Sequence, residues 1–498
     1  MITQVKIYTR RLLVVLGLFS LVSCSEEFFN NPPLGDLTVG SFPETEADAI
    51  LATNGVYNIL RSWNLNCGGF PLLDIVSDEA TKGSNPDDGT AIKPYEDFTY
   101  TADEGSMDRW YKTLYQGIRR ANLVINDVPD IPMDEALKTR LIAEARFLRG
   151  YLYAIMIRAF GDAPLVTEID PPLDLTRTSA EEIFSQLVEP DLLFAVENLP
   201  EKSDYAPEDL GRATRGAAKA LLARIYLFRG DFVNVEKYTL EIIQSGQYDL
   251  EANFADAFSY DQENGIESVF EVSALPEEFA QGGNQYGNTQ AIRGTPNRGW
   301  GFGRPAYTWI TMMTNNNDPR LDASVIFLNE VLDGTTTFGD GSTPDTTYVN
   351  GSIVEIECYN QKVWHPGVNS TTSFGHNRRI IRYADVLLMA AEALNENGKP
   401  DQALMYLNQV RERARGGNSN VLPDVTVTDK NQLRESILAE RTFELAFEGL
   451  RFWDLVRTDR AKTVLGTLGF TENKNELFPI PQSEIDISEG RITQNQGY

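Results

Sequence analysis

Histidine and cysteine are scarce in this chain, with two of the first and three of the second among 498 residues. The histidines, His365 and His376, stand eleven positions apart among Gly, Pro and Ser residues, which is neither a metal-ligand nor a proteolytic spacing. Cys24, Cys67 and Cys358 are too few and too far apart for a disulfide framework or a zinc site. Cys67 and Cys358 fit one bridge or two buried thiols equally well. Basic residues are outnumbered, 44 Lys plus Arg against 72 Asp plus Glu, for a net charge of −28. Such a chain repels phosphate-rich surfaces, so nucleic acid is excluded as a partner. There is no phosphate-binding loop of the Walker type, and Gly299, Gly301 and Gly303 read as a loop because they neither follow a clear strand nor open a clear helix. No acid/base motif emerges and no cofactor is implied, so the chain does not read as an enzyme. A carboxylate pair at glycosidase separation stays open, because that separation is defined in space. Long apolar runs are missing too. The longest N-terminal one, Leu12 to Val22, has eleven residues, short of the roughly 20 that cross a bilayer.

What precedes and follows that run is informative. Lys6, Arg10 and Arg11 come before it and Leu21-Val22-Ser23-Cys24 after it, the layout of an export signal. The tetrapeptide resembles the box read by bacterial lipoprotein processing. On that reading residues 1–23 are removed and Cys24 becomes a lipidated N-terminus, each buried methylene adding about 0.8 kcal/mol of membrane attachment. Residues 24–40, rich in acidic, Asn, Pro and Gly residues, read as a tether. Residues 41–498 read as one domain, with enough aliphatic and aromatic residues for a sizeable core.

Helical periodicity dominates the domain, over about 41–247 and 380–460. Ser41 and Glu44 have capping-box spacing, followed by Ile50, Tyr57 and Leu60 on one helical face. From Asp134 to Phe160, Leu141, Ala145, Leu148, Leu152 and Ile155 recur at spacings of four and three, before Gly161 and Pro164 stop the helix. Ser179 and Glu182 form a second capping box. Residues 217–246 and 382–417 each read as two helices joined at a glycine, Gly230 and Gly398, with Ala223 and Ala391 where paired helices must approach. This outline resembles the tetratricopeptide helix-turn-helix repeat. Since such units need neighbours to bury a continuous face, helices around 41–62, 106–127 and 134–160 are expected to supply them. In 440–457, Glu440, Glu444, Glu448, Arg451, Asp454 and Arg457 recur at intervals of four and three, a pairing network holding the last helix to the scaffold. Residues 250–380 differ: 282–304 and 333–351 are dominated by Gly, Asn, Thr and Pro, a loop-rich lobe with minor sheet near Ser352 to Tyr359.

Five stretches, EARFLRGYLYAIMIRAFGDAPLV (144–166), GWGFGRPAYTWITMMTNNNDPRLD (299–322), RYADVLLMAAEALNENG (382–398), ERTFELAFEGLRFWDLVR (440–457) and ELFPIPQSEIDISEGRITQNQGY (476–498), resemble the SusD/RagB family of surface nutrient-binding lipoproteins. The resemblance implies a mainly α fold: a tetratricopeptide-like scaffold with a loop-rich lobe containing minor β structure. It implies lipid-anchored display on the outer membrane, facing outside, with Ser25-Glu26-Glu27 after Cys24 as the cue. It also implies non-catalytic capture of oligosaccharides, or in some members peptides, and a TonB-dependent (SusC-like) transporter as partner.

A sugar ring presents C–H faces and a rim of hydroxyls, so its site needs flat aromatics beside directional polar groups. Trp110 and Trp453 fall in helical patterns and Trp309 in an apolar run, all three expected in the core, while Trp364 fits either role. Trp63, in RSWNLNCGG, and Trp300, between two glycines, remain as loop tryptophans. Asn64 and Asn66 accompany the first, and Asn284, Tyr286, Asn288 and Arg293 the second. These eight are the expected ligand-binding residues, with Trp63 and Trp300 as stacking platforms. Capture of peptides by the same aromatics, and a helical-repeat adaptor with no small ligand, are the rival readings.

Overall fold

The computed structural model describes residues 42–65, 72–275, 283–294, 299–365 and 375–498. The signal, Cys24, the tether, Ser41, Asn66 and Cys67 lie outside them.

The chain builds a run of helices in which each packs on the next: Glu46–Leu60, Gly105–Asp127, Glu135–Phe160, Glu189–Asn198, Arg215–Arg229, Phe232–Gln244 and Tyr383–Glu396, with Pro400–Ala414 and Lys430–Glu444 packed together on the last. The antiparallel pairs follow from sequence. Gly230 ends its helix at φ +74° and Gly398 sits at φ +76°, a left-handed conformation that costs glycine least. Pro400 then opens a helix, where its missing N–H is no loss. Ala223 and Ala391 are fully buried, so the axes close to a separation that a larger side chain would prevent. Leu141, Ala145, Leu148 and Leu152 are buried on the long helix Glu135–Phe160, which Asp134 caps and Gly161 ends. The fold is thus mainly helical with a tetratricopeptide-like scaffold.

Two local expectations are corrected. The first described helix is capped by Thr45 with Asp48, in a reciprocal capping box, rather than by Ser41 with Glu44. The charged stretch 440–457 is not one helix. Lys430–Glu444 ends, Phe447 and Gly449 take φ of +62° and +71°, and a separate helix Arg451–Arg457 follows. Its charges therefore pair mostly with other segments, Arg441 and Arg457 on Asp454 being the pairs within the stretch. Arg320 bonds Asp318 (2.6 Å), Glu440 (2.6 Å) and Glu444 (3.0 Å). Arg382 bonds Glu267 (2.5 Å), Glu444 (3.1 Å) and Glu448 (2.8 Å). Arg413 joins Glu267 at 2.7 Å and also reaches Glu444.

The loop-rich lobe enters between Phe232–Gln244 and Tyr383–Glu396 and contains two-stranded antiparallel ribbons. Ala80–Gly83 pairs with Phe302–Pro305, Thr346–Val349 with Ser352–Ile356, and Val325–Phe327 with Cys358–Asn360. Phe302–Pro305 corrects the reading of the Gly299 to Gly303 run as loop throughout. Trp110, Trp309 and Trp453 are core residues. Cys358 is a buried free thiol, pushed up to about 12 by burial and so unreactive. Among the described residues no helix is long and apolar enough to cross a membrane.

Candidate functional site

Trp63 opens the single turn Trp63–Leu65 directly after the first helix. Trp300 precedes the strand Phe302–Pro305, which ribbon pairing ties to residues 80–84: Gly83 opposes Phe302, and the Ser84 amide donates to the Gly301 carbonyl at 2.6 Å. Two glycines allow this approach. A Cβ on Gly83 (φ +68°) would stand 2.5 Å from the Gly301 carbonyl oxygen, and one on Gly299 would collide with the Ala291 backbone. The Trp63 and Trp300 rings meet, centroids 5.1 Å apart and planes at 58°, within the range of favourable aromatic contacts. Both residues remain half-buried.

Beside Trp300 lies an open cavity of about 620 Å³ lined by Asp88, Arg293, Trp300, Phe338, Asp340 and Ser342. Arg293 is its central polar group. Its Nη1 donates to Asp88 and, at 2.5 Å, to the Ser84 hydroxyl, while its Nε lies 2.7 Å from Asp340. Burial raises the Asp88 carboxyl, but bonds from Arg293 and Ser84 outweigh it and hold the group below its usual range. Burial likewise opposes ionisation of Asp340, yet the amides of Thr343 (2.6 Å) and Ser342 (2.8 Å) and both hydroxyls hold it down to about 2. Both carboxylates are therefore ionised at neutral pH, and the floor carries one positive and two negative charges.

The expected site residues separate into two groups. Trp63, Trp300 and Arg293 come together, with Asn64 half-buried next to Trp63. Asn284, Tyr286 and Asn288 do not face the cavity. They are 3%, 8% and 0% exposed, in or just before the short helix Tyr286–Gln290. Asn284 donates to the His376 carbonyl (3.0 Å) and accepts from the Tyr286 amide (2.9 Å), Arg378 lies over the Tyr286 ring, and the Asn288 carbonyl accepts from the Trp300 amide at 2.8 Å. They shape the loop that presents Trp300. Trp364 packs beside a small apolar cluster and donates to Asp333.

Sequence reasoning missed Phe338, Asp88 and Asp340. Phe338 is 57% exposed, a lone aromatic in a Gly/Thr stretch with nothing local to pack against, and that isolation was a usable signal. Asp340 before Gly-Ser-Thr announces an Asx turn. Asp88 carries no distinguishing signal, since its role comes from the fold. His376 is buried, kept neutral by burial and by Arg379, its ring nitrogen 3.1 Å away. Among the described residues no group of three or more His, Cys, Asp or Glu side chains is placed to hold a metal.

A model of the SusD family matches residues 244–498. The chain belongs to the SusD family. A second model, described as starch-binding associating with outer membrane, matches residues 74–227 of this SusD-family chain. The SusD-like protein P2 of Formosa agariphila is 30% identical over 524 residues, covering 97% of this chain and 98% of that relative. The starch-binding protein SusD of Bacteroides thetaiotaomicron is 25% identical over 454 residues, covering 78% of each. Among solved structures, a laminarin binding SusD-like protein superposes with a TM-score of 0.76 at 28% identity, covering 91% of this chain and 100% of that one.

Proposed function

We propose that this chain is a non-catalytic capture protein for neutral oligosaccharides. The observation that carries this reading is Trp300, in ring contact with Trp63, at a cavity whose polar groups are held in fixed directions. Trp300, backed by Trp63, and Phe338 supply apolar faces for pyranose C–H patches, and Arg293, Asp88, Asp340 and Ser342 supply donors and acceptors for hydroxyls. Relatives named for binding starch and laminarin, both uncharged polysaccharides, support the ligand class. The charge of the floor supports the restriction to neutral sugars, because a carboxylated or sulfated glycan would meet two carboxylates against one guanidinium. The non-catalytic reading fits the same groups: glycoside hydrolysis needs one carboxyl kept protonated to serve as acid, and both carboxyls here are held ionised.

Attachment through a lipidated Cys24 places the protein on the outer membrane, facing outside, where it delivers its ligand to a TonB-dependent transporter. The description of the second family model, which includes association with the outer membrane, supports the location.

The test is calorimetric titration of the detergent-solubilised mature protein with neutral and acidic glycans and a peptide digest. Selective binding of a neutral glycan, weakened at least thirtyfold by Trp300→Ala, as expected for a central aromatic anchor worth about 2 kcal/mol or more, supports the proposal. Uptake of peptides with no glycan bound would overturn the sugar assignment. Replacing Cys24 by Ser should move the protein from the membrane fraction to the soluble one, read by fractionation.

A further inference from the structure

Three segments that line the Trp300 cavity run on to line a second cavity of about 510 Å³. Residues 82–88 place Asp88 at the first and Lys82 at the second, residues 299–304 place Trp300 and Arg304 likewise, and residues 338–344 place Asp340 and Thr343. The partition is bonded from both sides. The Ser84 hydroxyl donates to Asp88 at 2.9 Å and accepts from Arg293 at 2.5 Å, while the Ser84 carbonyl accepts from Arg304 Nη2 at 3.1 Å. Across it, Asp340 accepts from the Thr343 amide (2.6 Å) and hydroxyl (2.9 Å). The two cavities are therefore neighbouring compartments separated by one hydrogen-bonded partition.

The second compartment has the polar chemistry of a sugar site. Lys93 Nζ lies 2.7 Å from Glu96, a donor beside an acceptor that matches a pair of vicinal hydroxyls. Glu355, with a third of its side chain exposed, offers acceptors opposite, and Thr347 on the hairpin strand adds a hydroxyl. Pro86 and Pro344 give apolar ring surface. Lys82 and Arg304 are buried beneath, the first donating to the carbonyls of Asn85 (3.0 Å) and Asp88 (2.8 Å). Among the described residues no aromatic side chain lines this cavity, so each ring it takes contributes less than one stacked on Trp300.

We infer that this second cavity is a further binding site, for the sugar units of an oligosaccharide that extend beyond the Trp63–Trp300 pair. The inference rests on the oligosaccharide reading above and adds a preference for longer chains. The experiment titrates the mature protein with neutral oligosaccharides from disaccharide to octasaccharide of whichever neutral glycan it binds, comparing wild type with Lys93→Ala and Thr347→Trp. Affinity is expected to rise about tenfold with length at one chain per protein. Thr347→Trp, which puts a bulky ring across part of the cavity, should reduce the rise and leave disaccharide binding unchanged. Lys93→Ala, at a half-exposed position, provides the same readout if the tryptophan variant fails to fold. Length-independent affinity, or a rise that substitution leaves undiminished, overturns the second site while leaving capture at Trp300 intact. Failure of every neutral length to bind wild type overturns the underlying reading and this inference together.

Discussion

Arg293 lies between Asp88 and Asp340 with its guanidinium committed to both, so its contribution to recognition is geometric more than electrostatic. It holds two carboxylates where they can accept hydroxyls, and the excess negative charge disfavours anionic ligands. Replacing Asp88 and Asp340 together by Asn should narrow the discrimination between a neutral oligosaccharide and its uronic-acid counterpart by about tenfold, roughly 1.4 kcal/mol. Parallel titrations of the two ligands measure that ratio, and an unchanged ratio would show that charge at this floor does not select. Neighbouring Asn284, Tyr286 and Asn288 share a loop sequence with Arg293, but their burial assigns them to support. Nothing in their local sequence distinguished them from surface polar residues, because which side of a short helix faces the core is decided by what packs against it.

At the scale of elements, a two-stranded ribbon holds the Trp300 segment against residues 80–84. Its weak point is Gly83, where a left-handed φ coincides with close approach to the Gly301 carbonyl. Gly83→Ala is expected to destabilise the fold by about 1–3 kcal/mol, read as a lower urea midpoint, and to weaken glycan binding because Trp300 loses its support. Binding that stays at the wild-type level would separate the ribbon from the site. Helix ends behave more locally. Thr45 and Asp48 satisfy each other's backbone amides, so Thr45→Ala should cost about 1 kcal/mol of stability and leave glycan affinity untouched. The capping box of Ser179 with Glu182 was legible because it is a property of four consecutive residues. The break between Lys430–Glu444 and Arg451–Arg457 was not, since the charge spacing fits a helix and only the bonds of Phe447 and Gly449 amides to buried Glu79 and Asp74 reveal the turn.

Across the whole molecule, the buried ions around Glu444 connect the loop-rich lobe to the helical scaffold. Arg320 comes from the lobe, Arg382 and Arg413 from the ends of the last antiparallel pair, and Glu444 from the following helix. Burial would raise the Glu444 carboxyl, but the guanidiniums of Arg413, Arg382 and Arg320 outweigh it and hold the group well below the usual carboxylate range. A carboxyl whose folded value is depressed contributes stability that is present above its unfolded value, about 4.3, and lost as pH falls toward the folded one. Removing one member leaves buried cations uncompensated, so Glu444→Gln should lower unfolding stability by about 3 kcal/mol at neutral pH. The difference between wild type and variant should shrink as pH drops below about 4.3, and urea unfolding across that range checks both the size and the sign. A constant difference would mean that packing, not charge, accounts for the loss.

The sequence by itself determined the helical pairs, the loop-rich interruption between them and the two tryptophans without a helical face to occupy. Those are consequences of periodicity, glycine and proline chemistry and local packing, each read within one or two turns of chain. Tertiary structure decided that Trp63 meets Trp300, that Arg293 is held by Asp88 and Asp340, and that Glu444 pairs with cations from three other segments. Such contacts join residues from 31 positions apart, Arg413 with Glu444, to 237 apart, Trp63 with Trp300, and their energies depend on distance and desolvation in space, which a linear pattern does not encode.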